Sequence, residues 1–223
     1  LNICKNFLNK TGLKKLCLSG GVALNCVSNG NLEKSKICDD IWVQPASGDA
    51  GCSLGAALIK TNKLENSFTP YLGPSFSDQE VIEILNYLKI KYNFYDNFNK
   101  LIQQTSEYLQ NGKIIGWFQD KMEFGPRALG NRSILADPRK KNIQSEMNLK
   151  IKFRESFRPF APIILEEEIR NYFDFSLKSP YMLFISKIKE KFRKKNKDDH
   201  LKGLEKINAL NSDFPGITHV DFS

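Results

Sequence analysis

Twice near its start the chain runs from a short apolar stretch into a glycine turn and then toward a helix-like segment. "KKLCLSGGVALN" reads as a strand at Leu16–Leu18 that meets a turn at Gly20–Gly21. "IWVQPASGDAGCSLGAALIKT" reads as a second strand, Ile41–Val43, then a loop, then a helix rich in small residues. Gly51, Gly55, Ala56 and Ala57 on that helix predict close packing against a sheet. Strands and helices mix here and again downstream, so the expected class is α/β of the mixed, α+β kind.

From Asn62 to Ser77 the composition turns to Pro, Gly, Ser and Asn, as a linker would, and the domain boundary is expected near Tyr71. Residues 1–70 and 71–223 are the two expected domains. Ser77 and Glu80 form a capping-box pattern ahead of the periodic run "VIEILNYL". A helix over Lys100–Gln110 and a strand over Lys113–Gln119 follow, and "SILADP" predicts another short strand. Pro138 marks the start of a helix toward Asn148. In "KIKFRESFRPFAPIIL" the alternation of Lys150, Lys152 and Arg154 predicts a strand with its cations on one face.

With 223 residues, 41% hydrophobic, the chain is long enough to bury a core as one large or two small domains. No apolar run approaches the roughly 18 residues of a membrane span and no leader is visible, so a cytoplasmic protein without a membrane partner is expected. Five cysteines lacking any CxxC pair predict reduced thiols. A net charge of +8 raises the question of nucleic acid, but the lysines are scattered. The densest run, Lys187–His200, reads as a solvated loop.

Chemistry gathers in "EFGPRALGNRS", Glu123–Ser133, where Arg127 and Arg132 each follow a glycine turn. With the cations of Lys150–Arg158 they suggest a phosphate or nucleotide site; the plainer reading is surface charge, or ion pairs with Glu123 and Glu155. Neither GxxxxGK[ST] nor GxGxxG occurs. Asp49, between glycines in "ASGDAG", suits a metal or the cap of the next helix. Gly20, Gly21 and Asn25 suit a nucleotide or a plain tight turn, and His219 a catalytic or structural role.

Longer motifs narrow the choice. "LSGGVALNCVSNGNL", "YLGPSFSD", "GWFQDKMEFGPRALGNRSILADPR", "MNLKIKFRESFRPFAPIIL" and "THVDFS" resemble the O-carbamoyltransferases, the family of nodulation-factor carbamoyltransferases and those of cephamycin and tobramycin biosynthesis. The resemblance implies the C-terminal part of an actin-like ATPase-fold domain, followed by an incomplete YrdC-like α/β domain. It implies that ATP and carbamoyl phosphate form carbamoyl-adenylate, and that a second domain with an iron-type metal passes the carbamoyl group to a small hydroxylated acceptor, sugar or antibiotic-like. Magnesium would accompany the ATP, and a homodimer is among the assemblies expected.

By resemblance Arg127, Lys152 and Arg158 are catalytic. Gly20, Gly21, Asn25, Lys121, Arg132, Arg154 and His219 bind nucleotide or carbamoyl phosphate, and Asp49 is the metal ligand. The family's HxxxH and Ser-x-Asn elements do not occur in the chain, which therefore reads as an internal piece, inactive by itself. Asp120 stands where the family has glycine. The alternative is a non-catalytic nucleotide- or RNA-binding module using the same basic residues.

Overall fold

A computed structural model describes residues 1–61, 68–175, 178–194, 211–219 and 221–223. The contacts divide them into two compact units, each discontinuous in sequence: Leu1–Ser75 with Gln119–Arg132 and Ser179–Ile185, and Phe76–Phe118 with Ser133–Lys178 and Ser186–Ser223.

The first unit opens with helix α1 (Asn2–Thr11), whose left-handed cap at Gly12 releases the chain into strand β1 (Lys15–Leu18). A single 3₁₀ turn, Gly21–Leu24, leads to α2 (Cys26–Lys34). Strand β2 (Asp40–Val43) then pairs parallel with β1, Leu16 opposite Ile41 and Leu18 opposite Val43. A parallel pair needs such a crossover, and helix α2 provides it. Ala23, Val43 and Leu183 form the buried centre, with Leu18, Leu24, Ile41, Tyr181 and Phe184 against them. Buried Asn29 ties α2 to this core through its amide, which donates to the carbonyls of Ala23 (2.8 Å) and Leu183 (3.0 Å).

Helix α3 (Ala50–Thr61) follows the loop after β2. Only one of its small residues is required by close approach: a Cβ at Gly51 would run into the Ala46 carbonyl, whereas one at Gly55 meets nothing and Ala56 and Ala57 are exposed. Residues 62–67 of the expected linker lie outside the described residues. Its later part is pinned, because Gly73 N–H donates to Met122 O, Met122 N–H to Pro74 O and Phe124 N–H to Pro70 O.

In the second unit, Ser77 caps α4 (Asp78–Tyr87) with both halves of the capping box in place. Helix α5 (Phe98–Gln110), capped by Asn97, leads to β3 (Ile115–Phe118), which pairs with β4 (Arg132–Leu135) in a two-stranded sheet. The class is mixed α/β, as expected. Ile143, Met147 and Ile188 are buried, and the rings of Tyr172, Phe192 and Phe214 stack or meet edge to face at 5.2–5.9 Å.

Three local expectations fail in this unit. The helix expected from Pro138 starts only at Ile143, with turns before it, and runs through α6 (Ile143–Glu146) into a π-helical turn that includes Asn148. The expected strand with Lys150 and Lys152 on one face is instead a π-helical turn, Met147–Lys152, closed by left-handed Phe153 (φ 49°). Within Lys187–His200 the described part is no solvated loop: Ile188 is buried, Phe192 stacks on Tyr172, and Arg193 donates to Ile188 O and pairs with Asp174. Residues 195–200 lie outside the described residues.

Candidate functional site

Of the sequence-chosen residues, Gly20, Gly21, Asn25, Asp49, Lys121, Arg127 and Arg132 belong to the first unit, and Lys152, Arg154, Arg158 and His219 to the second.

In the first unit the Gly-Gly turn takes its expected form. Gly20 has φ 97°, which only glycine adopts freely, and a Cβ there or at Gly21 would meet open space. Asn25 ends the turn and caps α2, its Oδ1 accepting from Ser28 N–H at 3.0 Å. Asp49 is exposed just before α3.

The segment Gln119–Arg132 is closed by its own hydrogen bonds. Glu123 Oε1 accepts the N–H groups of Leu129 (2.6 Å), Asn131 (2.9 Å) and Arg132 (3.3 Å). Burial works to raise this carboxyl, but the backbone donors outweigh it and hold it below the usual glutamate value. Tyr71 donates its hydroxyl to Leu129 O at 3.0 Å, and burial pushes that phenol up. Buried Asn131 donates to Lys121 O at 2.7 Å.

The two arginines differ sharply within this frame. The Arg132 guanidinium donates to the carbonyls of Gln119 (2.6 Å), Asn131 (2.8 Å), Asp120 (3.1 Å) and Pro74 (3.4 Å), tying its segment to residues 74 and 119–120. Arg127 donates from Nη2 to Leu24 O at 3.2 Å, at the end of the Gly20–Gly21 turn. Its Nε is buried with no hydrogen-bond partner among the described residues, as is the hydroxyl of Ser47. The arginine loop comes close to the loop after β2 at Gly125 (φ 125°), where a Cβ would lie 3.4 Å from Ala46 Cβ. Asp120, at the family's glycine position, has φ 41°.

In the second unit Asn148, fully buried, does what Glu123 does in the first. Its amide donates to Arg158 O (2.8 Å) and Ser156 O (3.1 Å), its Oδ1 accepts from Arg154 Nε (2.6 Å), and its carbonyl accepts Arg154 N–H (3.0 Å). The chain therefore curls around Asn148 where a strand was expected. Arg154 stacks over Phe160 at 4.9 Å, and burial followed by the charge of Arg158 lowers its pKa. Arg158 pairs with Glu155 at 2.8 Å, the local ion pair that the plainer reading of the sequence offered, while Lys152 is exposed. His219 Nδ1 lies 3.4 Å from Asp221 Oδ1.

A cavity of about 510 Å³ in this unit is lined by Leu109, Asp137, Pro162, Tyr172 and Phe214 among others, and by none of the sequence-chosen residues. Asp137 beside it is buried and bound by Arg139 at 2.7 Å, which holds its carboxyl low.

Among the described residues no three His, Cys, Asp or Glu side chains gather into a group that suits a metal ion. Asp49 alone is one carboxylate, and the residues present do not by themselves fit an iron centre. No helix among them is long and apolar enough to cross a membrane.

Family models agree with the distribution of motifs: the carbamoyltransferase C-terminus matches residues 106–223 and the carbamoyltransferase N-terminus residues 2–58. The chain belongs to the carbamoyltransferase family. It is 44% identical over 237 aligned residues to an uncharacterized protein of Synechocystis sp., covering 100% of this chain and 38% of that protein. Nodulation protein NolO of Bradyrhizobium diazoefficiens is 43% identical over 194 residues (81% of this chain, 34% of that protein), and nodulation protein U of Rhizobium fredii 34% over 178 (78% and 29%). The chain spans about a third of the length of these relatives.

Sequence reasoning missed Glu123, Tyr71, Asn131 and Asn148 as organisers of the arginine loops. In the sequence Glu123 stands out only as an ion-pair partner. No local pattern marks a side chain whose partners are backbone groups 6–10 residues away, or 58 away for Tyr71.

Proposed function

We propose that this chain is part of an ATP-dependent O-carbamoyltransferase. Carbamoyl phosphate, taking up water, releases phosphate and leaves carbamate. The carbamate oxygen bonds to the α-phosphorus of ATP and pyrophosphate departs, giving carbamoyl-adenylate. A hydroxyl of a small acceptor then bonds to the carbamoyl carbon, its proton is lost, and AMP leaves. The proposal takes residues 1–70 as the end of an actin-like domain and 71–223 as an incomplete YrdC-like domain, with Mg²⁺ accompanying ATP.

The observation that carries this reading is Arg127. Its guanidinium has no carboxylate counter-ion among the described residues, one neutral carbonyl holds it, and its Nε lacks a partner. A guanidinium so placed favours an anionic ligand. Phosphoryl chemistry asks mainly for positioned positive charge, and this site offers it beside an open glycine turn. Lys152, Arg154 and Arg158 are the corresponding cations of the second unit, with Lys121, Arg132, Gly20, Gly21, Asn25 and His219 as further proposed contacts. Asp49 is proposed as a metal ligand, and no step here depends on it.

The test is carbamoyl-phosphate-dependent ATP–pyrophosphate exchange in the full-length protein. Exchange that needs carbamoyl phosphate is expected; its absence in folded protein rejects the proposal.

A further inference from the structure

We infer that Glu123 is a positioning residue that sets Arg127 for anion binding; the inference rests on the function proposed above. One carboxylate oxygen collects three main-chain N–H donors of the loop, from Leu129, Asn131 and Arg132, at 2.6–3.3 Å. Such a concave set of N–H groups is the kind of backbone nest that binds anions, and here the chain's own carboxylate fills it. The amides around Gly130 are therefore not open to a phosphate.

Their work is internal. The nest fixes the far end of the loop, the Tyr71 hydroxyl holds Leu129 from its carbonyl side, and the close approach of Gly125 to Ala46 fixes the near end. Arg127 lies between these anchors. Its side chain leaves the loop for Leu24, and its backbone course is what Glu123 determines. A glutamine would keep an acceptor oxygen but lose the charge that makes gathering three donors on one oxygen favourable.

Glu123→Gln in the full-length protein is expected to slow carbamoyl-phosphate-dependent exchange by about tenfold to a hundredfold, with its circular dichroism unchanged. If Glu123 acts through Arg127, the loss nearly disappears when the same change is made in Arg127→Lys, because the two effects are then not additive. A general loss of stability would not produce that cancellation. Should Glu123→Gln fail to fold, Tyr71→Phe makes the same test, with an expected loss of about twofold to tenfold that also vanishes in Arg127→Lys. Wild-type rates in the folded single variants, or losses that multiply in the double variants, overturn the inference alone. Absence of exchange in the wild type overturns the functional reading and the inference with it.

Discussion

Arg127 and Arg132 carry the same side chain five positions apart, yet four carbonyls absorb one guanidinium and a single carbonyl holds the other. Different losses should follow from replacing them. Arg127→Lys keeps the charge but not the planar fork, and a charge-assisted contact is worth ~1.5–3 kcal/mol. Exchange should therefore fall by about tenfold to several hundredfold with little change in unfolding midpoint. Arg132→Lys should instead lower stability, by roughly 1–3 kcal/mol in urea unfolding, since several carbonyls lose a donor. Asp120 is a smaller case of the same locality. At φ 41° it occupies backbone that glycine prefers and aspartate tolerates. Asp120→Gly should unfold within about 0.5 kcal/mol of wild type, while Asp120→Val should cost about 1–2 kcal/mol. Glu123 adds a pH dependence. Its carboxyl is depressed in the fold, so its contribution is complete above the ordinary glutamate value and fades as pH falls through the lower folded one. Glu123→Gln should lose less stability than wild type over that acid window.

Elements were legible in the sequence where their signals are local. The capping box at Ser77 and Glu80, the Gly20–Gly21 turn, β1, β2 and α5 follow from caps, glycines and periodicity within a few residues. The stretch from Lys150 to Arg154 was not legible, because Asn148 overrides its alternation: its side-chain amide donates to the carbonyls of Ser156 and Arg158, and its main-chain carbonyl accepts Arg154 N–H. A period of two tells which face a strand would show, not whether a buried acceptor bends the chain first. The role of Glu123 was hidden for the same reason, since its partners are main-chain groups that composition does not reveal. Asn148→Ala should leave three part-buried groups without that partner and cost about 1–3 kcal/mol, with Arg154 and Arg158 displaced together. Measured stability like the wild type would show that the curled turn holds without the amide. Gly51→Ala makes the parallel test in the first unit, where the new methyl meets the Ala46 carbonyl and should destabilise α3 at its start.

For the whole molecule, family membership and net charge pull toward different partners. A charge of +8 invites nucleic acid, whereas the function proposed for this carbamoyltransferase family member calls for small anions. Salt separates the two. A protein that tracks about six phosphates of a single strand loses roughly two orders of magnitude in affinity between about 50 and 200 mM salt. A site built from one or two oriented guanidinium groups releases far fewer counterions, and its hydrogen-bond geometry survives screening better than diffuse attraction does. Carbamoyl-phosphate-dependent exchange by the full-length protein should accordingly fall less than about tenfold over that range, while any RNA retained on it is released. If RNA instead stays bound at the higher salt and blocks exchange in proportion to its occupancy, the basic residues serve a nucleic acid, and Arg127 has been assigned to the wrong phosphate.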